Sequence, residues 1–195
     1  MTSATSEEMT ITIVTGLPRS GTSMMMQMLA AGGCPILTDG VRAADASNPQ
    51  GYLEYDLVKR LPMTSNWLHL ARGKALKVVA SLLPYLPLEA ADGSPNHYRV
   101  VFMNRDWQEI AASQLRMLRD LGREQSNQSG LLLERAMLKD LAAAREWLIQ
   151  NTVPSIDVDY RETLADPAKT SARLAEMIPA FRSDAAAAAV VPRSV

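Results

Sequence analysis

The sequence predicts an α/β fold: a three-layer α/β/α sandwich around a mainly parallel central sheet. Three observations predict it. Apolar β-branched runs alternate with helical patterns along the chain. The first run, "ITIVT" (11–15), is β-branched throughout, as in a strand buried on both faces. A loop bracketed by Gly16 and Gly21 then joins that strand to a helical segment. Strands separated by helices pair in parallel, with the helices covering both faces of the sheet.

The elements follow in order. "TSMMMQMLAAGG" reads as a helix closed by Gly32 and Gly33, its methionines packing on the sheet. "NPQGYLEYDLVKRLP" is a turn followed by a short helix from about Leu53. "KALKVVA" (74–80) is a second strand, and "SLLPYLPLEAADGSP" is irregular. "YRVVFMN" (98–104) is a third strand, leading into the helix "WQEIAASQLRMLRDLG". "REQSNQSG" is a polar loop, and its 125–130 part is a candidate lid. "LLLERAMLKDLAAAREWLIQ" is a long amphipathic helix, "PSIDVDY" a fourth strand and "KTSARLAEMI" a last helix. The reading is one domain over 1–195, with residues 1–9 and about 184–195 loosely held.

Composition narrows the function. The chain has 195 residues, 47% hydrophobic and 21% charged, ordinary values for a globular domain. A formal net charge of −1 provides no general field for nucleic acid, so any anion site must be built from local groups. The single cysteine, Cys34, forms no internal disulfide, and no apolar run reaches the length of a membrane span. The N-terminal stretch "MTSATSEEM" is polar and acidic, unlike a signal peptide, and the reading is cytoplasmic.

A parallel sheet binds ligands at the carboxyl ends of its strands, which makes the junctions 16–23 and 104–113 the sites to inspect. In "GLPRSGTS" (16–23) the spacing is that of a phosphate-binding P-loop. Successive backbone N–H groups and the positive end of a helix dipole make such a junction an anion cradle. Ser20, Thr22 and Ser23 add hydroxyls, and Arg19 is the only cation of the loop. Thr22 stands where the P-loop lysine of a nucleoside triphosphatase belongs. A sulfuryl group makes a lighter electrostatic demand. It is isosteric with phosphoryl, but its monoester carries one negative charge rather than about two.

At the second junction Arg105 leaves the third strand, and Ser113 follows eight residues on. On a helix that spacing puts both on roughly one face. An Arg and a Ser so placed are able to share one further phosphate.

Taken together, "GLPRSGTS" resembles the 5′-phosphosulfate loop of the sulfotransferases, and "RDWQEIAAS" (105–113) resembles their 3′-phosphate motif. "VDYRETLADP" (158–167) and "NPQGYLEYDLVKRL" (48–61) are similar to segments of short bacterial members. The resemblance implies a P-loop-type α/β fold and 3′-phosphoadenosine 5′-phosphosulfate as donor. It implies that Arg19, Ser20, Gly21, Thr22 and Ser23 hold the phosphosulfate end, with Arg19 steadying the leaving phosphate oxygen. Arg105 and Ser113 would hold the 3′-phosphate. Arg161 departs from the family pattern, standing where many relatives have Glu. A Gly-rich, Lys-ending motif near the C-terminus is also absent from the sequence.

An acceptor hydroxyl or amine needs a base. The candidates are Glu54, Asp56, His69 and His97, with Glu54 preferred because its segment returns over the loop after the first helix. Lys77 and Arg42 are further cations whose direction the sequence leaves open. Tyr52, Trp67 and Trp107 are able to stack on a ring but suit packing better. No metal is expected for sulfuryl transfer. Two alternatives stand beside it. One is a magnesium-dependent small-molecule kinase that would use Asp157 and Asp159. The other is a nucleotide-binding relative without chemistry.

Overall fold

The computed structural model describes residues 6–41, 51–120 and 127–191. Its centre is β1 (Thr10–Gly16), paired along its whole length on one edge and over Thr12–Val14 on the other. On one side lies β2 (Ala75–Lys77); on the other lie β3 (His97–Asn104) and then β4 (Ser155–Asp159). The order is β2-β1-β3-β4, and every pairing is parallel.

Period-two alternation gives each face its own core. Ile11, Ile13, Val100 and Phe102 point to one face and pack with Leu83, Ala144, Trp147 and Leu148. Val14, Val101, Met103 and Val158 point to the other. That second face is covered by α2 (Thr22–Ala31), α6 (Pro167–Met177) and α7 (Ser183–Ala188). The methionines of α2 are core residues: Met25, Met26 and Met28 are fully buried. The first face is covered by α4 (Asn127–Gln150) and by 3-10 turns at Asp56–Arg60, Leu68–Ala71 and Ala80–Tyr85. Between α4 and the end of β1 runs α3 (Trp107–Asp120), which seats Ile110 against Leu17 and Met137. The predicted α/β/α sandwich is therefore the observed architecture.

Several boundaries differ from the sequence-based expectations. The second strand is three residues long rather than seven, because it lies at the sheet edge and the chain turns into the 3-10 segment from Ala80. The short helix expected from Leu53 is a single 3-10 turn from Asp56. Residues 127–130 of the expected polar loop form the first turn of α4. Positions 125 and 126 of the candidate lid, like Arg42, lie outside the described residues. A short helix unforeseen in the sequence, α5 (Tyr160–Ala165), follows β4 and is capped by Asp159, which accepts from the Glu162 N–H at 3.0 Å.

The described parts of both terminal segments pack against the domain. The first four described residues form α1 (Ser6–Met9), where Glu7 pairs with the buried Arg99. In the alanine-rich tail, Ala186 of α7 is 0% exposed against the α2 face. Alanine is the best helix former, and its small side chain lets two helices approach closely. The fit is tight nearby, where a Cβ on Gly32 would lie 2.0 Å from the Phe181 ring.

After β1 the chain crosses to one neighbour and after β3 to the other, so the carboxyl ends of β1 and β3 form a switch point of the sheet.

Candidate functional site

The loop after β1 is shaped by two glycines at positive φ. Gly16 lies at φ 146°, and a Cβ there would come within 2.7 Å of the Met103 carbonyl. Gly21 lies at φ 99°, and its Cβ would strike the Tyr160 ring at 2.5 Å. Only glycine permits that closeness. Arg19 also adopts a left-handed backbone, at φ 72°. Such strain in a non-glycine residue is typical of binding loops. The loop ends at α2, whose first-turn N–H groups have no intrahelical carbonyl to bond. With the helix dipole they favour an anion at this point.

Gly21, Thr22 and Ser23 open on a cleft of about 360 Å³ together with Arg19. Ser20 does not line it. Its hydroxyl is buried, lies against Gly16 and has no hydrogen-bond partner among the described residues, and its N–H is bonded to the Leu17 carbonyl at 3.1 Å. The turn directs the side chain of Ser20, expected at the anion, back at the strand.

The opposite wall supplies a cation that the loop lacks. Lys77 ends β2 paired with Val14, and alternation turns its side chain to the α2 side. Its Nζ donates to Ser23 Oγ at 3.1 Å, to the Tyr52 carbonyl at 3.3 Å and to Glu54 Oε1 at 2.9 Å. The lysine side chain is 7% exposed and the Glu54 side chain 26%. Glu54, the preferred base, thus stands in the cleft as half of an ion pair. Leu53 before it has a positive φ of 49° and packs against the core on the α2 face.

Arg105 reaches the same cleft from the end of β3. Its Nη1 donates to the Arg19 carbonyl at 2.9 Å, and its guanidinium lies 4.1 Å above the Tyr160 ring centre. Its Nε donates to Glu109 Oε2 at 2.9 Å, one helical turn on. Arg161, the residue that departs from the family pattern, pairs with the other oxygen of Glu109. The hydrogen bond from Arg105 holds the Glu109 carboxyl below its ordinary value, so it is ionised at neutral pH.

Ser113 and Arg105 both meet Arg19, Arg105 at its backbone carbonyl and Ser113 at its side chain. Ser113 is buried, and its hydroxyl accepts from Arg19 Nε at 3.0 Å. Arg19 thus stands between the two residues expected to share one phosphate. The left-handed backbone of Arg19 sends its guanidinium onto α3, where Ser113 receives it.

The other candidates fall away by position. His69 and His97 are exposed, and His97 begins β3 at the edge opposite the loop. Asp56 pairs with Lys59. Trp67 is core, edge-on to Tyr55 at 5.3 Å, and Trp107 packs beside Leu17 and Ile110. Asp157 is bonded by Arg145 and by Asn104 Nδ2 at 2.7 Å, whereas Asp159 caps α5. Burial works against the Asp157 charge, but the Arg145 and Asn104 hydrogen bonds outweigh it and hold its carboxyl below the usual range.

Tyr160 and Gln114 are among the cleft residues not singled out in the sequence. Tyr160 floors the site between Gly21 and Arg105. Gln114 lines the cleft with its Oε1 buried and without a partner among the described residues. Its place directly after Ser113 on a helix facing the loop was the available signal. Compared with models of known protein families, the chain matches none, and compared with curated proteins it has no significant match. Function must be argued from the cleft itself. Among the described residues, no helix is long and apolar enough to cross a membrane.

Proposed function

We propose that the cleft binds 3′-phosphoadenosine 5′-phosphosulfate as donor substrate and transfers its sulfuryl group to a hydroxyl or amine. One observation carries the reading: Arg19, Lys77, Arg105 and the N-terminus of α2 converge on one cleft of about 360 Å³. Three cations and a helix end suit a ligand bearing two separate anionic groups. The lysine missing from the loop is replaced from β2, whose ammonium reaches Ser23.

In the proposed reaction, the acceptor heteroatom attacks sulfur in line while the bond from sulfur to the 5′-phosphate oxygen breaks. That oxygen leaves with the electron pair, giving 3′,5′-bisphosphoadenosine. The acceptor proton passes to the Glu54 carboxylate. Arg19 and the amides of Gly21, Thr22 and Ser23 hold the leaving phosphate, and Lys77 faces the transferring oxygens. As Glu54 is neutralised, the Lys77 ammonium loses its counter-charge and interacts more strongly with those oxygens. Ser113 positions Arg19 through its hydrogen bond. The 3′-phosphate takes Arg105, exchanging with the Glu109 carboxylate that holds this arginine now.

The kinase alternative has less support, because Asp157 and Asp159 serve Arg145 and the α5 cap. The test is release of 3′,5′-bisphosphoadenosine from the donor, measured over a panel of hydroxyl and amine acceptors with EDTA present. Turnover persists in EDTA, and Glu54→Gln lowers kcat by about 10²–10⁴-fold with donor binding retained. Full activity of Glu54→Gln would remove it from the mechanism. Transfer from ATP that dies in EDTA would replace the reading with the kinase.

A further inference from the structure

The cleft is asymmetric, and its apolar side identifies the acceptor. The loop and Arg105 hold the polar side. Beyond the Glu54–Lys77 pair, the lining is Tyr55, Val58, Val79 and Leu82, with Lys59, whose ammonium is paired with Asp56, beside them. Val79 and Leu82 belong to the stretch where the chain leaves β2 for the Ala80–Tyr85 turn, and Val58 belongs to the 3-10 turn after Glu54. These are rigid supports: Val58 is core, and Tyr55 is held edge-on by Trp67.

We infer that the acceptor is an uncharged, largely apolar alcohol, phenols included, whose body lies on Val58, Val79 and Leu82 and whose hydroxyl meets Glu54. The inference rests on the sulfuryl-transfer reading of the same cleft. Two physical arguments carry it. The aliphatic side chains offer no hydrogen bond, so each sugar hydroxyl laid on them would lose water without replacement, at about 1–3 kcal/mol. An apolar ring or chain gains on the same surface, about 25 cal/mol for each Å² removed from water.

The test titrates the full chain, with and without 3′,5′-bisphosphoadenosine, using 2-naphthol and, separately, glucose. Binding of 2-naphthol at one site is expected, with glucose binding at least about tenfold weaker, a difference of about 1.4 kcal/mol. Leu82→Asn and Val79→Asn should each weaken naphthol binding about tenfold while the nucleotide still raises the melting temperature, which also shows that the variants fold. Equal binding of glucose, or naphthol binding indifferent to both substitutions, would overturn the acceptor class and leave the nucleotide reading standing. Naphthol binding that follows Leu82 in a wild-type protein unaffected by the nucleotide would instead overturn the sulfuryl-transfer reading, and the acceptor role with it.

Discussion

Lys77 is a buried ammonium whose three donors meet Ser23 Oγ, the Tyr52 carbonyl and Glu54 Oε1. Glu54 compensates that charge at 2.9 Å, and the proposed anion beside Ser23 would draw on it as well. Replacing it by Met keeps the stem and deletes the charge. Glu54, a quarter exposed, then turns to water rather than being stranded. Lys77→Met should lower affinity for 3′,5′-bisphosphoadenosine at least about tenfold, with the ligand-free melting temperature moving by only a few degrees. Unchanged affinity in a titration would remove Lys77 from the anion site. The sequence shows why this residue is hard to read. "KALKVVA" offers two lysines, and only the register of Val14 against Lys77 decides which one points at α2. Arg105 was easier, because the last residues of a parallel strand must emerge at the ligand edge. Ser20 and the partner of Ser113 were out of reach for another reason. Each depends on a backbone turn, the left-handed Arg19 above all, that no spacing encodes.

At the scale of elements, legibility tracks burial. β1 lies in the middle of the sheet, and its unbroken branched run reads correctly to within a residue at each end. β2 is an edge strand held by β1 and, on its outer side, only by a single bridge from Ile36 to Ala75, so its apolar sequence outlasts its ladder. The tail shows the opposite error. Poly-alanine reads as featureless, yet smallness is what admits α7 to the surface of α2 and α6. The Arg182 N–H bonds the Gly32 carbonyl at 2.9 Å, and Phe181 fills the space that Gly32 leaves open. A chain ending at residue 182 should lose about 1–3 kcal/mol of stability, from the burial of Ala186 and its neighbours. Calorimetry of the two chains checks this, and equal melting temperatures would show that α7 contributes nothing.

For the molecule as a whole, the sheet order brings two loops together that lie more than eighty residues apart in the chain. The Arg105 guanidinium touches the Arg19 carbonyl at 2.9 Å because β1 and β3 are neighbours, with Gly16 paired to Met103. A protein of net charge −1 thereby builds a local positive cleft. Glu109 and Arg161 hold Arg105 there until a phosphate competes for it. The cleft is proposed to read both anionic ends of one adenosine nucleotide. The direct measurement is the melting temperature of wild type and Arg105→Ala with 3′,5′-bisphosphoadenosine, ADP and ATP. At a hundred times its Kd the bisphosphate stabilises by about 2.7 kcal/mol, which is about 5–10 °C for a chain of this size. The account predicts that shift for the bisphosphate, a much smaller one for ADP and ATP, and loss of the preference in Arg105→Ala. Equal shifts with all three nucleotides, or a preference that survives the substitution, would contradict it.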